Sequence, residues 1–249
     1  MTLKEKLTII DEWLIFRRRL IADTKLMNLV DNGIYEHMFP AEGSNGPSEF
    51  FNIRLENLSD DELHKTIKAI KALDIHTEWP MACSERVNMA VYGEIPVYPL
   101  KEFALGIMMP EDMPCYSDTT HDLIIRRVTT KSDFALWCDI NRFDFGSFEA
   151  DGHFHIVEEG KFNCFLGFVG DKHVAISAIV NDKGAAALDF VHVLPEYRKR
   201  GFATALSQYS IKWAFEHRVK FLVGWGHPTF SPGSSRLFNK LRFPIISSE

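Results

Sequence analysis

The chain is 249 residues long, 46% hydrophobic and 25% charged, which is enough to bury a sizeable core and too apolar for a disordered chain. Lys and Arg total 28 against 34 Asp and Glu, a formal net charge of −6 at pH 7 that excludes the broad basic face of a general nucleic-acid binder. The longest apolar runs, 103–109 and 174–180, fall well short of the roughly 20 residues that span a bilayer, so no membrane partner is expected either.

The opening MTLKEKLTIIDEW carries acidic residues and no apolar signal core, and its Leu3, Leu7, Ile10 and Leu14 recur on one face of a helical period. A helix is expected over the first thirty residues, with Asp31-Asn32-Gly33 as its stop. Arg17, Arg18 and Arg19 are consecutive, spread around such a helix and read as a solvated surface. Gly43, Gly46 and Pro47 mark a loop, and 50–55 reads as a strand. Ser59 with Glu62 three residues on is a capping-box pattern, followed by an apolar stripe of Leu63, Ile67 and Ile70. Residues 81–100 give no clear pattern, 103–109 reads as a buried strand, and the Pro-rich stretch 110–120 reads as a linker.

From Asp122 strands and helices alternate. Strands are expected over 123–128, 163–169, 174–180, 185–194 and 221–225, with Gly170-Asp171-Lys172 turning a hairpin. Helices are expected from Ser132, from Gly201 to about His217, and over 234–241. That order implies a mixed sheet with helices on its faces, an α/β class. Cys83, Cys115, Cys138 and Cys164 are widely separated and form no Cys-x-x-Cys pair, the pattern of reduced thiols in a cytoplasmic chain.

The chemistry concentrates where the 185–194 strand meets the next helix. Pro195 stops the strand, Arg198, Lys199 and Arg200 form a cationic turn, and Gly201 opens the helix without a side chain to fend off a ligand. The first-turn N–H groups of Gly201, Phe202, Ala203 and Thr204 then sit beside three positive charges, a cradle for a diphosphate. On the strand, simple alternation places Asp189 with Val191 and Val193 on one face and Phe190 with His192 on the other. A carboxylate in an apolar strand is desolvated and so raised toward a useful base. Asp189 is the candidate base, the alternative being an acid that hydrogen-bonds a neighbouring loop. His192 reads as a packed residue. His153-x-His155 with Glu158 and Glu159 has no third ligand at a recognisable spacing, so no metal is expected and a polar loop is the better reading. Phe143, Phe145, Phe148 and Phe154 crowd one region, either as ordinary packing or as the lining of an acceptor pocket.

Val193-x-Pro195-x-x-Arg198-x-x-Gly201-x-Ala203 resembles the acetyl-CoA signature of the GNAT superfamily of N-acetyltransferases. Ser231-Pro-Gly-Ser234 through Leu237-Phe238-Asn-Lys240-Leu-Arg242-Phe243 is similar to that family's later block, and the likeness covers about 122–243. The resemblance implies a GNAT acyl-CoA N-acyltransferase fold over 116–249, preceded over 1–115 by a divergent, degenerate GNAT-like domain that lacks the turn and does not bind CoA. It implies that acetyl-CoA is the co-substrate. Val191 and Val193 would contact pantetheine, Arg198 to Thr204 the diphosphate, and Ser231 and Phe238 would lie along the coenzyme. It implies direct transfer of acetyl to an amine, with a homodimer as a further candidate partner. Three departures stand out: Ser231 for Asn, Arg242 for Gly, and Phe238 for the Tyr that protonates the departing sulfur. Phe238 and Arg242 keep a rival open, a CoA-binding sensor or scaffold without turnover. The family's last strands would have to come from upstream residues or from a partner.

Overall fold

A computed structural model describes residues 1–22, 27–42, 48–73, 75–77, 79–80, 82–92, 104–116, 122–141, 150–182, 184–226 and 232–244. The chain divides into two compact units, Met1–Lys101 and Glu102–Ser247.

The first unit is a four-stranded sheet in the order β1 (Met27–Asp31), β2 (Glu36–Pro40), β3 (Glu49–Phe51), β4 (His76–Thr77), with helices α1 (Leu3–Ala22), α2 (Asp60–Lys71) and α3 (Glu85–Tyr92). The capping box forms as expected: Glu62 N–H donates to Ser59 Oγ at 3.4 Å and Ser59 N–H to Glu62 Oε2 at 2.9 Å. Its stripe of Leu63, Ile67 and Ile70 packs with Phe50, Leu55, Val87 and Val91. Two expectations are corrected here. The helix ends at Ala22, and Asp31-Asn32-Gly33 turns the β1–β2 hairpin instead, with Gly33 at φ 88° and its N–H donating to Asp31 Oδ1 at 2.8 Å. Asn-Gly suits such a turn because Gly adopts positive φ without strain. Nor are all three arginines a solvated surface. Arg17 is buried and Arg18 pairs with Glu49 at 2.7 Å, while Arg19 stays half exposed and pairs with Glu36, itself 2% exposed. The strand register puts Glu36 and Glu49 on one face of the sheet with Met38 and Phe51, and acids there draw the basic helix onto it.

The second unit is a six-stranded sheet in the order β5 (Ala104–Met108), β10 (Phe221–Gly226), β9 (Ala185–Val193), β8 (Lys172–Asp182), β7 (Phe162–Val169), β6 (Ile124–Arg127). All neighbours are antiparallel except β9 and β10. The mixed α/β sheet is as the sequence implied. Its helices are α4 (Lys131–Asn141), α5 (Ala150–Glu158), α6 (Phe202–Glu216) and α7 (Pro232–Leu241). β5 covers the outer edge of β10, so the strand that an N-terminal domain of 1–115 would hold belongs to the second sheet. The last strand of that sheet thus comes from upstream. Strand pairing between residues so distant in sequence leaves no local signature.

α5 replaces the expected polar loop. His153 is buried within it with Ile156 and Val157, and residues two apart on a helix face different ways. Among the described residues no cluster of His, Cys, Asp and Glu has the arrangement of a metal site. No described helix is long and apolar enough to cross a membrane.

Candidate active site

The cationic turn is built by backbone geometry. Leu194 N–H donates to Val174 O at 2.9 Å, then a 3-10 turn over Pro195–Tyr197 lifts the chain off the sheet. Lys199 at φ 63° and Gly201 at φ 86° are both left-handed, and Gly201 takes the N-cap position of α6. No side chain caps that helix. Its first intrahelical bond runs from Ala205 N–H to Gly201 O at 3.0 Å, which leaves the N–H groups of Phe202, Ala203 and Thr204 ahead of the ladder. The helix dipole adds partial positive charge at the same spot. Arg198 Nε donates to Val193 O at 2.9 Å, tying the turn to the strand end while its side chain stays exposed. Arg200 and Lys172 each lie 5.2 Å from the Tyr197 ring centre, and Lys172 also pairs with Glu196. Phe202 anchors the helix in the core, so only its backbone faces the turn.

Beside the turn, β9 parts from β10. The two strands pair only over Ala185–Ala187 and Phe221–Val223. Beyond that point Gly224, Trp225 and Gly226 pair with β5, and the rest of β9 pairs with β8. Among the described residues β9 and β10 form no ladder pair beyond Ala187 and Val223, and an extended ligand running along β9 there can add its own hydrogen bonds.

A bulge lies on the other edge of the same stretch. Ala178 faces Asp189 and Ile176 faces His192, so Ser177 alone stands opposite the two residues Phe190 and Val191. Phe190 adopts φ 53°, an outlier for an aromatic residue, and it is held in place from several sides. Its ring packs edge-on against Trp137 at 5.7 Å and Phe162 at 5.3 Å, and its N–H donates to Asp189 Oδ1 at 2.9 Å. Trp137 Nε1 donates to Ser177 O at 3.1 Å, and Ser177 Oγ lies 2.8 Å from Ser210 Oγ of α6.

The bulge corrects the expected alternation. Residues opposite one another on paired strands share a face, and Ile176 and Ala178 share one. Asp189 and His192 therefore lie on the same face, together with Phe190 and under α4. Leu188 and Val193 lie in the α6-side core, with partly buried Val191 packed against it. Asp189 is 9% exposed and His192 4%. Nothing in the sequence marks the bulge, because Phe190 occupies a position where Gly or Asn would have been the signal. On this face Phe134, Trp137 and Phe162 are buried, and Phe134 also meets Phe154 at 5.9 Å, which favours packing over pocket lining. Phe143, Phe145, Phe148 and Ser231 lie outside the described residues.

Phe238 is 4% exposed and packs against Phe243 at 5.2 Å. Both rings press on Gly224, where an added Cβ would stand 2.7 Å from Phe243 and 2.8 Å from Phe238. Opposite it, a Cβ at Gly106 would collide with Pro244 O. Two facing glycines thus make the hollow in which the last aromatic residues sit. Tyr116 donates its hydroxyl to Leu241 O at 3.3 Å, and burial pushes its pKa up to about 12.

A family model described as the acetyltransferase (GNAT) family matches residues 116–243, just over half of the chain. No curated protein matches the sequence. Among solved structures, a GCN5-related N-acetyltransferase from Kribbella flavida is similar with TM-score 0.61 and 15% identity, over 94% of this chain and 90% of that one, a likeness of fold. A GCN5-related N-acetyltransferase from Sphaerobacter thermophilus reaches 0.47 at 14% identity, over 58% of this chain and 48% of that one. An aminoglycoside N-acetyltransferase in complex with CoA reaches 0.42 at 17% identity, over 51% and 90%.

Proposed function

Since the chain belongs to the GNAT acetyltransferase family and is an acyltransferase enzyme, we propose that it moves an acetyl group from acetyl-CoA directly to an amine of a small molecule or peptide. The observation that carries this reading is the early parting of β9 from β10 beside the uncapped N-terminus of α6. The N–H groups of Phe202 to Thr204, with the cations Arg198, Lys199 and Arg200, would receive the diphosphate, and the open edge of β9 at Val191 and Val193 would receive pantetheine. Ser231 completes the proposed coenzyme contacts. Phe238 would serve by packing alone, since a phenyl ring donates no proton.

The amine would approach on the face of Asp189. An alkylammonium with a pKa of about 10.4 is almost wholly charged at pH 7, so a base must act before nitrogen can attack the thioester carbon. Asp189 is the proposed acceptor of that proton. Backbone N–H groups at the opened end of β9 would steady the charge that develops on the carbonyl oxygen. The departing thiol has an ordinary pKa of about 8.5 and can leave as thiolate, so the missing tyrosine slows the reaction by at most the roughly 10²- to 10⁴-fold of general acid help.

Thiol release from acetyl-CoA, measured with sisomicin, spermidine, lysine and an N-terminally free tetrapeptide, tests this reading. At least one amine should stimulate release, and Asp189→Asn should lower that stimulated rate by about 10²- to 10⁴-fold. The burial of Phe238 in the core favours the second reading, a CoA-binding sensor. Tight CoA binding with no amine-dependent release across the panel would establish that one instead.

A further inference from the structure

Forming the amide removes two protons from the acceptor nitrogen. The alkylammonium carries three hydrogens there and the product amide one, while the new N–C bond replaces the C–S bond and the sulfur keeps that electron pair. One proton finally resides on the thiol and the other in solvent, but each must first be taken from nitrogen. Asp189 receives one at a time, and Phe238 receives none.

β9 carries two titratable side chains, Asp189 and His192, and the register across the bulge sets both on one face. Without the extra residue at Phe190–Val191, His192 would point toward α6. We infer that His192 is the second proton acceptor of the transfer, brought to the acceptor face by this bulge. The inference rests on the transferase reading above. Among the described residues, the buried titratable side chains of the neighbouring elements are Cys138 of α4, Cys164 of β7 and His153 of α5. Burial pushes the Cys164 thiol well up, which keeps it neutral. The sheet-facing side chains of β8 here, Ile176, Ala178 and Val180, are all apolar.

The test compares wild type with His192→Gln, using the most active amine of the panel at saturating acetyl-CoA and pH 7. His192→Gln should lower kcat by about 100-fold and leave the KM for acetyl-CoA within about threefold. A side chain that merely filled space would lower the urea midpoint without this split between kcat and KM. A variant that keeps kcat within about threefold overturns the inference while transfer itself stands. A wild type that binds CoA but transfers to none of the four amines overturns both. Should the variant fail to fold, ¹⁵N spectra of wild type decide: the His192 ring nitrogens should shift when sisomicin or spermidine joins the CoA-bound protein, and unmoved signals refute the role.

Discussion

Phe190 shows how one strained residue organises the face that carries Asp189 and His192. Its left-handed backbone is held by two aromatic contacts and by the carboxylate of the residue before it. Phe190→Ala should cost about 3–5 kcal/mol of unfolding free energy, measured by urea denaturation, and should cut turnover further because Asp189 and His192 lose their shared face. Glu36 is the corresponding single residue of the first unit. Burial alone would raise its pKa, but Arg19, Asn52 and Arg54 together hold it below the ordinary carboxylate range. A carboxyl lowered on folding contributes stability at pH above its unfolded value of about 4.3, and that contribution disappears as pH falls through the lower folded value. Glu36→Gln should therefore lose about 1.5–3 kcal/mol at pH 7 and show a flatter fall in stability between pH 5 and 3 than wild type.

At the scale of elements, legibility follows the range of the interactions involved. α2 was readable because capping box and stripe lie within one helix, and Ser59→Ala should cost it about 1 kcal/mol, visible as a lower urea midpoint. The strand end, turn and helix start from Val193 to Thr204 are legible for a similar reason, since they are contiguous. The pairing of α1 arginines with Glu36 and Glu49 was not, because those acids sit on strands that follow much later in the chain. The bulge escaped too, since it depends on how Ser177 of a neighbouring strand is braced by Trp137 and Ser210. The histidines and acids of 150–158 read as a polar loop, whereas burial of His153, Ile156 and Val157 fixes the segment as helix α5.

For the whole molecule, the sheet of the second unit begins before the matched family region. β5 at Ala104–Met108 supplies the cover for β10, and the facing glycines Gly106 and Gly224 admit Phe238 and Phe243 over the pair. A fragment starting at Glu102 should remain soluble and melt cooperatively, whereas one starting at Tyr116 would expose the β10 edge and should aggregate, as light scattering would record. Gly224→Ala within the full chain should destabilise by about 1–3 kcal/mol through the crowding of those two rings, read from the shift in urea midpoint.

Titration calorimetry of the full chain with coenzyme A bears most directly on the account. Wild type should bind one coenzyme with measurable heat, and the double variant Arg198→Ala with Gly201→Val should weaken binding at least tenfold while still melting cooperatively. Absence of heat in wild type, or an unchanged affinity in the double variant, would contradict a diphosphate held by the bend between β9 and α6.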